Sequence, residues 1–489
     1  MKVKIYYFRS LFSQSACSLS AGKFSSFLLD RGYNTDLALL KMEDYAFNHS
    51  ALNDINNFDI IVYKANYKDF EYGIRLFENL LQKDTKFYVT GAFALLNEEA
   101  IIKKFPFITK VINIQNCDEV EKFFPIIGEK IEKNSVICGC DRQIDMLEKG
   151  RYINLEASTG CIYRCAFCHI NLIGYPFKNI EVENVVEEIS NLITKLNKKY
   201  FIFNDSIFWK GDRDNERIEK FISLVKEKNL KFYFYIYLAL KPTISEELLI
   251  KLKEIGLIRV FVGVENITDD FQEHNPKAVN LTSAENFLNM LRRNKVSYHI
   301  GFMMFFPDVK YENLFVNLKY LHSIKKLFRL GIIVEKMRIL PHSTNSNILY
   351  KTEGKIDQCY NYHFVNEKVK ECYELVKNYF NNVNMRYFEQ FFTGIDIIRT
   401  ILNREGLEKE FENDLLSYDN LVAECNDKLF VALNDIFANL VVSSEHITTL
   451  CDIYAKAEVN YTNFINKLKV NHEDIFKCIP HGKEELNIW

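Results

Sequence analysis

The chain has 489 residues, 48% hydrophobic and 26% charged, an ordinary composition for a globular protein of about two to four domains. Its 62 Lys and Arg are matched by 65 Asp and Glu, so the net charge of −3 gives no electrostatic reason to expect a nucleic acid partner. The amino terminus lacks the apolar core of a signal peptide, and no run approaches the roughly 18 apolar residues of a spanning helix. We therefore expect a cytoplasmic protein that binds neither nucleic acid nor membrane.

The first 130 residues alternate strand-like and helix-like segments. The strand-like runs are KVKIYYF, FDIIVYKA and KFYVTGAF, and helical patterns follow them over Ala21–Arg31, over Tyr72–Leu81 and from Asn97. This alternation predicts a Rossmann-like domain with a parallel sheet over residues 1–130. Residues 131–150 are polar and charged, and we interpret them as a linker.

A second alternating unit covers residues 151–350. Its six strand-like runs are YINLEA, YFIFND, KFYFYIY, IRVFVGVE, SYHIGFMMFF and IIVEKMRIL. Helical patterns separate them over Val182–Leu196, Asn215–Lys228, Ile244–Ile255, Ser283–Arg293 and Tyr311–Ile324. Repeated right-handed βα crossovers curl a parallel sheet towards a barrel and place the chemistry at the carboxyl ends of the strands. We predict a partial (β/α)6 barrel, open on one side.

Residues 351–489 carry helical and aromatic patterns without strand signals, and we predict a helical C-terminal domain there. The whole chain is thus of the α/β class. The cysteines of this last region form no CxxC pair, so buried free thiols are favoured over a second metal cluster.

Three cysteines share one predicted loop. Cys161, Cys165 and Cys168 form the motif CIYRCAFC directly after the first strand of the barrel unit. Three thiolates can ligate three irons of a [4Fe-4S] cubane and leave the fourth iron open to an exogenous ligand. The alternatives are a zinc site or three buried thiols, but zinc would require a fourth ligand, and His169 is poorly placed beside Cys168. The spacing favours the cluster.

The CxxxCxxC spacing, with Phe167 before the last cysteine, resembles that of the radical S-adenosylmethionine (SAM) superfamily. The resemblance implies that the amino and carboxylate groups of SAM chelate the open iron. It also implies that an electron, supplied by a donor such as flavodoxin or ferredoxin, breaks a carbon–sulfur bond of SAM to give methionine and a 5′-deoxyadenosyl radical.

Motifs at later strand ends extend the resemblance to SAM binding. Asn204 and Asp205 resemble the polar strand end that receives the amino group of SAM, and Glu265 lies in a motif similar to the family's Gly-Ile-Glu-Ser, whose carboxylate faces the SAM pocket. Gly301 resembles the stretch that approaches the adenine, and Leu340 the end of the sixth strand in the same pocket. The alternative for the two carboxylates is a helix cap or a solvated loop charge.

The front domain resembles that of the cobalamin-binding class of the superfamily. Gly91, in Thr-Gly-Ala at a strand end, resembles the glycine turn that lets the nucleotide tail of cobalamin approach the backbone. The Asp-x-His-x-x-Gly motif that supplies an axial histidine in cobalamin mutases is missing from the sequence. Many members of the radical SAM class leave that face of the cobalt without a histidine, so the resemblance still implies cobalamin binding. The alternative is a degenerate Rossmann domain that binds no cobalamin and only shapes the substrate pocket.

These observations predict a radical SAM enzyme that acts on a small molecule or peptide in a biosynthetic pathway. Cobalamin-dependent methylation of an unactivated carbon is the first choice. The second is a cobalamin-independent rearrangement, cyclisation or dehydrogenation. The alternative that is not an enzyme is a noncatalytic metal-binding scaffold.

Overall fold

A computed structural model of the chain describes residues 1–9, 18–43, 46–47, 49–65, 70–82, 84–132, 152–240, 244–274, 281–343 and 362–478. Most of the predicted linker lies outside the described residues. The described chain confirms the predicted class, with parallel α/β sheets in front and a helical C-terminal region.

The front domain is built on a mostly parallel sheet. Its strands are β1 (Lys2–Arg9), β2 (Asn34–Glu43), β3 (Ala46–Phe47), β4 (Ile60–Lys64), β5 (Lys86–Thr90) and β6 (Lys110–Val111). They pair in the order β3-β2-β1-β4-β5-β6, and only β2 and β3 are antiparallel. The strand order reverses between β1 and β4, and ligands of open α/β sheets bind outside the carboxyl ends at such a reversal.

Successive side chains of a strand point to opposite faces of the sheet, so this sheet contributes to two hydrophobic cores, one on each face. Ile5, Val62 and Tyr88 belong to the core that continues into the barrel, whereas Tyr6 and Phe87 belong to a separate core on the other face. The helices are α1 (Leu19–Leu29), α2 (Phe70–Leu80), α3 (Ala92–Leu96), α4 (Glu98–Lys104) and α5 (Cys117–Phe123). The sequence patterns did not predict β2, β3, β6, α3 or α5.

The second domain contains a parallel sheet that curls into part of a barrel. Its strands are β7 (Ile153–Leu155), β10 (Tyr200–Phe203), β11 (Tyr233–Ala239), β12 (Leu257–Glu265) and β13 (Ser297–Phe302), and a short antiparallel pair, β8 (Ser158–Thr159) with β9 (Lys178–Asn179), lies beside them. In the described residues the sheet order is β13-β12-β11-β10-β7. Each step between neighbours is parallel, as repeated βα units require.

The helices of this domain are α6 (His169–Leu172), α7 (Val182–Leu196), α8 (Asn215–Glu227), α9 (Glu246–Glu254), α10 (Asp269–His274), α11 (Leu281–Arg293), α12 (Tyr311–Ser323) and α13 (Leu330–Val334). The helices α7, α8, α9, α11 and α12 lie close to the predicted bounds, whereas α6, α10 and α13 were not predicted. The helix α7 has the predicted bounds because its apolar residues recur at helical spacing, and Val182, Val185, Val186, Ile189 and Leu192 are buried.

The prediction of a sixth strand over IIVEKMRIL was wrong in its first part. Residues Leu330–Val334 form helix α13, and after this helix Lys336 makes an isolated parallel bridge to Phe305. A short apolar run fits a buried strand or a buried helix equally well, so periodicity does not separate the two. The helix is favoured here because Leu330 and Ile333 are both fully buried in the core.

The C-terminal region is helical, as predicted. Its helices are α14 (Glu367–Phe380), α15 (Met385–Arg404), α16 (Glu412–Asn439), α17 (Ser444–Asn471) and α18 (Glu473–Cys478). Helix α15 packs against β12 and β13, and Ser297 donates its backbone N–H to the Thr400 hydroxyl at 2.9 Å. Helix α15 therefore covers the amino end of the barrel. None of the helices in the described ranges is long and apolar enough to cross a membrane.

Candidate cluster and cofactor site

The three cysteines lie in one loop after β7 and β8. The loop begins at Gly160, whose φ is +65°, and a Cβ there would lie 2.5 Å from the Pro176 carbonyl oxygen. Glycine is therefore required, because a side chain would clash with backbone that cannot move aside. This turn directs residues 161–168 to the carboxyl end of the barrel strands.

All three thiols are partly exposed and unbridged. Within the loop, Cys168 donates its backbone N–H to the Cys165 carbonyl at 3.1 Å, and Tyr163 donates its backbone N–H to Cys161 Sγ at 3.5 Å. In the described part of the chain, no three thiol, imidazole or carboxylate groups converge as they would on a single metal ion. A cubane bonds each cysteine through a different iron, so three accessible thiols in one short loop fit its donor set.

Asp205 lies under this loop rather than in the open part of the site. Its side chain is only 1% exposed, and its carboxylate accepts hydrogen bonds from the Ala157 N–H at 2.9 Å and the Ser158 hydroxyl at 2.6 Å. Burial raises the pKa of the carboxyl to about 6, although both hydrogen bonds act in the opposite direction. The structure thus gives Asp205 a positioning contact with the strand that leads into the cysteine loop. Its contact with SAM stays a prediction.

Glu265 and Gly301 lie together at the ends of β12 and β13. Glu265 has φ +68°, which a non-glycine residue seldom adopts, and β12 is irregular between Gly263 and Glu265. The backbone carbonyl of Glu265 accepts the Met303 N–H at 2.6 Å. A Cβ at Gly301 would lie 3.6 Å from Glu265 Oε2 and 2.7 Å from Phe261 Cζ. A side chain at position 301 would therefore fill the space in front of both residues.

Phe167 and Leu340 are the remaining predicted SAM contacts. The ring of Phe167 packs on that of Phe271 at 6.1 Å, which anchors the cysteine loop to helix α10. Leu340 is buried and follows the bridge at Lys336 in place of a sixth strand end. Their roles towards SAM stay predictions.

A cavity of about 300 Å³ lies between the two domains. The front sheet contributes Lys64 and the segment from Thr90 to Ala92, at the carboxyl ends of β4 and β5. The barrel contributes Asn204 and the segment from Ser158 to Gly160. The predicted residues Gly91 and Asn204 are thus brought together with the root of the cysteine loop.

Gly91 has φ +115°, and a Cβ there would lie 2.6 Å from the Ala65 carbonyl oxygen. A glycine is needed because β5 must turn into α3 while touching the end of β4. The turn leaves the backbone of residues 90–92 facing the cavity.

Several polar residues of this cavity were missed from the sequence: Lys64, Glu156, His169 and Tyr175. Lys64 is the last residue of β4, and Glu156 directly follows β7. Their position at the carboxyl ends of parallel strands was the sequence signal that could have identified them. Glu156 also pairs with Lys23 of α1 at 2.6 Å and so joins the two domains. Burial lowers the pKa of His169 and raises that of Tyr175, so both side chains are neutral near pH 7.

Comparison with protein families identifies the class. Residues 155–321, which span the cysteine loop and the strands around it, match the model of the Radical SAM superfamily. The chain therefore carries a radical SAM domain, which indicates an enzyme.

Two curated relatives match part of the chain. The ribosomal protein uS12 methylthiotransferase RimO of Acetivibrio thermocellus is 26% identical over 151 residues, covering 28% of this chain and 33% of RimO. The RimO of Thermodesulfovibrio yellowstonii is 26% identical over 124 residues, covering 25% of this chain and 28% of that protein. The chain spans about a third of the length of the curated relatives it matches.

Solved structures extend the likeness of fold beyond the barrel. The cobalamin-dependent SAM radical enzyme OxsB, solved with aqua-cobalamin and SAM, superposes with a TM-score of 0.59 at 15% identity, covering 94% of this chain and 84% of OxsB. The radical SAM methyltransferase TsrM from Kitasatospora setae, solved with tryptophan and a SAM analogue, gives a TM-score of 0.50 at 12% identity and covers 66% of this chain and 71% of TsrM. At these identities the likeness concerns the fold.

Proposed function

We propose that this enzyme is a cobalamin-dependent radical SAM methyltransferase that methylates an unactivated carbon of a small molecule or peptide. The observation that carries the proposal is the cavity shared by residues 90–92 of the front sheet and residues 158–160 at the root of the cysteine loop. A cofactor in this cavity would contact both domains. The fold shared with OxsB, which was solved with cobalamin and SAM, supports the same assignment.

Cys161, Cys165 and Cys168 would hold a [4Fe-4S] cluster, and Glu265, Asn204 and Gly301 would line the SAM site. When bound, the cluster supplies the electron that cleaves SAM, and cobalamin supplies the methyl group. The chain would position the cluster through two contacts that support its loop: Ser158 donates a hydrogen bond to Asp205 before the loop, and the ring of Phe167 within it packs on Phe271. A carboxylate such as Glu265 suits hydrogen bonds to the amine or ribose hydroxyls of SAM.

The cavity residues fit one edge of a corrin. The cavity has a volume of about 300 Å³, which is at the small end of the range for ligand sites. A corrin would therefore fill the cavity and extend out through its opening. Lys64, Ser20 and Gln115 line the cavity and offer hydrogen-bonding groups, which suits the amide side chains of a corrin. Tyr175 and Ile173 add apolar surface.

Cobalamin binding can be tested by filling the cavity. Ala92 lines it at the start of α3 and is half-buried, so Ala92→Trp places a large side chain there without the backbone clash expected of Gly91→Leu. Wild-type protein should show a cobalamin spectrum and a thermal shift with hydroxocobalamin, and Ala92→Trp should show neither. A control is Ala455→Trp on helix α17, an exposed position that does not line this cavity. A wild-type protein without spectrum or shift would exclude the cobalamin reading.

The competing function is a cobalamin-independent radical reaction that rearranges, cyclises or dehydrogenates the substrate. Anaerobic reconstitution with iron, sulfide and SAM separates the two. The methyltransferase should give a methylated product only when cobalamin is added, whereas the competing enzyme should yield 5′-deoxyadenosine and product without it. No SAM cleavage under any condition would support a noncatalytic scaffold.

We further propose flavodoxin or ferredoxin as the electron donor and the cytoplasm as the working compartment. Twelve cysteines suit a reducing environment, in which a cluster loop and free thiols persist. Turnover with reduced flavodoxin, compared with a chemical reductant, tests the donor.

A further inference from the structure

A row of three rings lines the inner face of the barrel sheet. Tyr237, Phe261 and His299 occupy the same register on β11, β12 and β13. Their ring centroids are 5.2 Å apart from Tyr237 to Phe261 and 5.2 Å apart from Phe261 to His299. We call these three residues the ring row.

The ring row is part of the accessible surface of these strands. On β11, β12 and β13 the residues that keep partial exposure are the three rings, Glu265 and Gly301, and the other residues of these strands are buried. Side chains alternate along a strand, and positions 237, 261 and 299 lie on one face. The opposite face is covered by helices, so this exposure faces the barrel interior.

The positions nearer the catalytic end leave the rings uncovered. One layer above the ring row, in register, stand Ala239, Gly263 and Gly301. None of these side chains is larger than a methyl group. A Cβ at Gly301 would already lie 2.7 Å from Phe261 Cζ, so even an alanine there would cover that ring. Glu265 stands above the same space at the end of β12.

The ring row is also electrically neutral. Arg329 donates a hydrogen bond to the His299 imidazole, and because a guanidinium has no acceptor, the imidazole must accept and is uncharged. Burial lowers the pKa of His299 well below its usual range, and the charges of Arg329, Arg259 and Lys326 lower it further. Arg329 pairs with Glu389 at 3.3 Å and Lys326 pairs with Asp396 at 3.5 Å, so these cations already have partners and do not call for a charged group on the ligand.

We infer that the ring row seats the substrate and that the substrate presents to it a planar, uncharged aromatic ring. Aromatic faces and edges attract another ring in stacked or edge-to-face geometry beyond the burial of area. The inference rests on the proposed function, since a substrate on the ring row would lie next to SAM only if Glu265 and Gly301 line the SAM site.

The test uses the reconstituted holoenzyme with SAM present, and indole and adenine as probes, with cyclohexanol as the non-aromatic control. Calorimetry should detect binding of at least one aromatic probe but not of cyclohexanol. Phe261→Leu keeps an apolar side chain but removes the ring, and it should weaken that binding about fivefold or more. Tyr237→Leu provides a second variant, should Phe261→Leu fail to fold.

The matched control is Phe302→Leu. Phe302 is on the outer face of β13 and stacks on Tyr320 at 6.1 Å, so its loss removes a similar ring without touching the row. It should change probe affinity by less than about twofold, as expected for a site with which it makes no contact. An equal loss in Phe302→Leu would overturn the inference, as would unchanged affinity in both row variants.

Two further outcomes are decisive. If no aromatic probe binds, or if probes bind only without SAM and SAM displaces them, the row belongs to the cofactor or to the core and the inference fails. Formation of 5′-deoxyadenosine by the wild-type enzyme is measured in the same preparation. Intact SAM cleavage with no ring binding overturns this inference alone, whereas a wild-type protein that cannot cleave SAM overturns the proposed function.

Discussion

The hydroxyl of Ser158 donates a 2.6 Å hydrogen bond to the buried carboxylate of Asp205. Ser158 stands three residues before Cys161, and Asp205 directly follows Asn204 at the end of β10. The pair therefore ties the approach to the cysteine loop to the neighbouring strand. A buried carboxylate in this position gives the stability of the domain a pH dependence of its own.

We expect Asp205→Asn to change that pH dependence. The pKa of Asp205 is raised from 3.8 to about 6 by burial, so between these values the folded chain holds a proton that the unfolded chain has released. The contribution of this group to stability is therefore full below about pH 4 and is lost as pH rises through 6, a change on the order of 2–3 kcal/mol. Urea unfolding of the apoprotein should show the wild type losing stability relative to Asp205→Asn over this range.

The control for this measurement is Asp118→Asn, an exposed residue in the first turn of α5. The same measurement on this variant shows the effect of removing an exposed carboxylate. If the difference in stability between wild type and Asp205→Asn does not change with pH, the Asp205 carboxyl titrates alike in the folded and unfolded states.

Changing Cys161, Cys165 or Cys168 to alanine should remove the cluster. Each thiolate is one of three anchors that keep the open iron directed at SAM, so single variants should abolish SAM cleavage and the triple variant should lose its iron and the broad visible absorbance. Iron analysis and anaerobic absorption spectra give the readout. Cys451→Ala is the matched control, because Cys451 is an exposed free thiol on helix α17. Normal turnover in any loop variant would contradict the assignment.

Glu265→Gln should weaken SAM binding and leave the cluster intact. A charge-assisted hydrogen bond contributes about 1.5–3 kcal/mol, so the affinity for SAM should fall about tenfold or more. Equilibrium binding of SAM to the reconstituted protein measures the change, and the iron content of the same sample shows whether the cluster is retained. Glu312→Gln, on the exposed side of α12, should bind SAM as the wild type does. Equal affinities for the two variants would leave Glu265 as a structural residue.

Glu389→Ala should lower the free energy of unfolding by weakening the packing of the C-terminal region on the barrel. Glu389 of α15 pairs with the buried Arg329 at 3.3 Å and accepts the backbone N–H of Gly331. Removing one member of a buried pair leaves an uncompensated charge, so the free energy of unfolding should fall by about 3–5 kcal/mol. Glu424→Ala, which removes more exposed pairs with Lys428 and Lys456, should cost no more than about 1 kcal/mol. Similar losses in both variants would contradict a buried role for Glu389.

The sequence alone determined the class of the protein and most of the barrel. The spacing of Cys161, Cys165 and Cys168 is a local property, and so is the apolar periodicity that predicts α7 with its observed bounds. Strand ends such as Asn204 and Glu265 could be found in the same way, because parallel strands bring their carboxyl ends to one edge. The strand β2 was missed because its residues, NTDLALLKME, mix polar and apolar side chains without strict alternation.

The tertiary structure decided what depends on partners distant in the chain. Residues 330–334 form a helix rather than the sixth strand because burial against α15 and the contact with Glu389 outweigh a propensity that suits either state. Asp205 turns to Ser158 because the interior offers two donors 47 and 48 residues away, which no local pattern reveals. The cavity between Gly91 and Gly160 and the ring row of Tyr237, Phe261 and His299 likewise exist only once separate strands lie side by side, since short-range sequence carries no information about which strands will be neighbours.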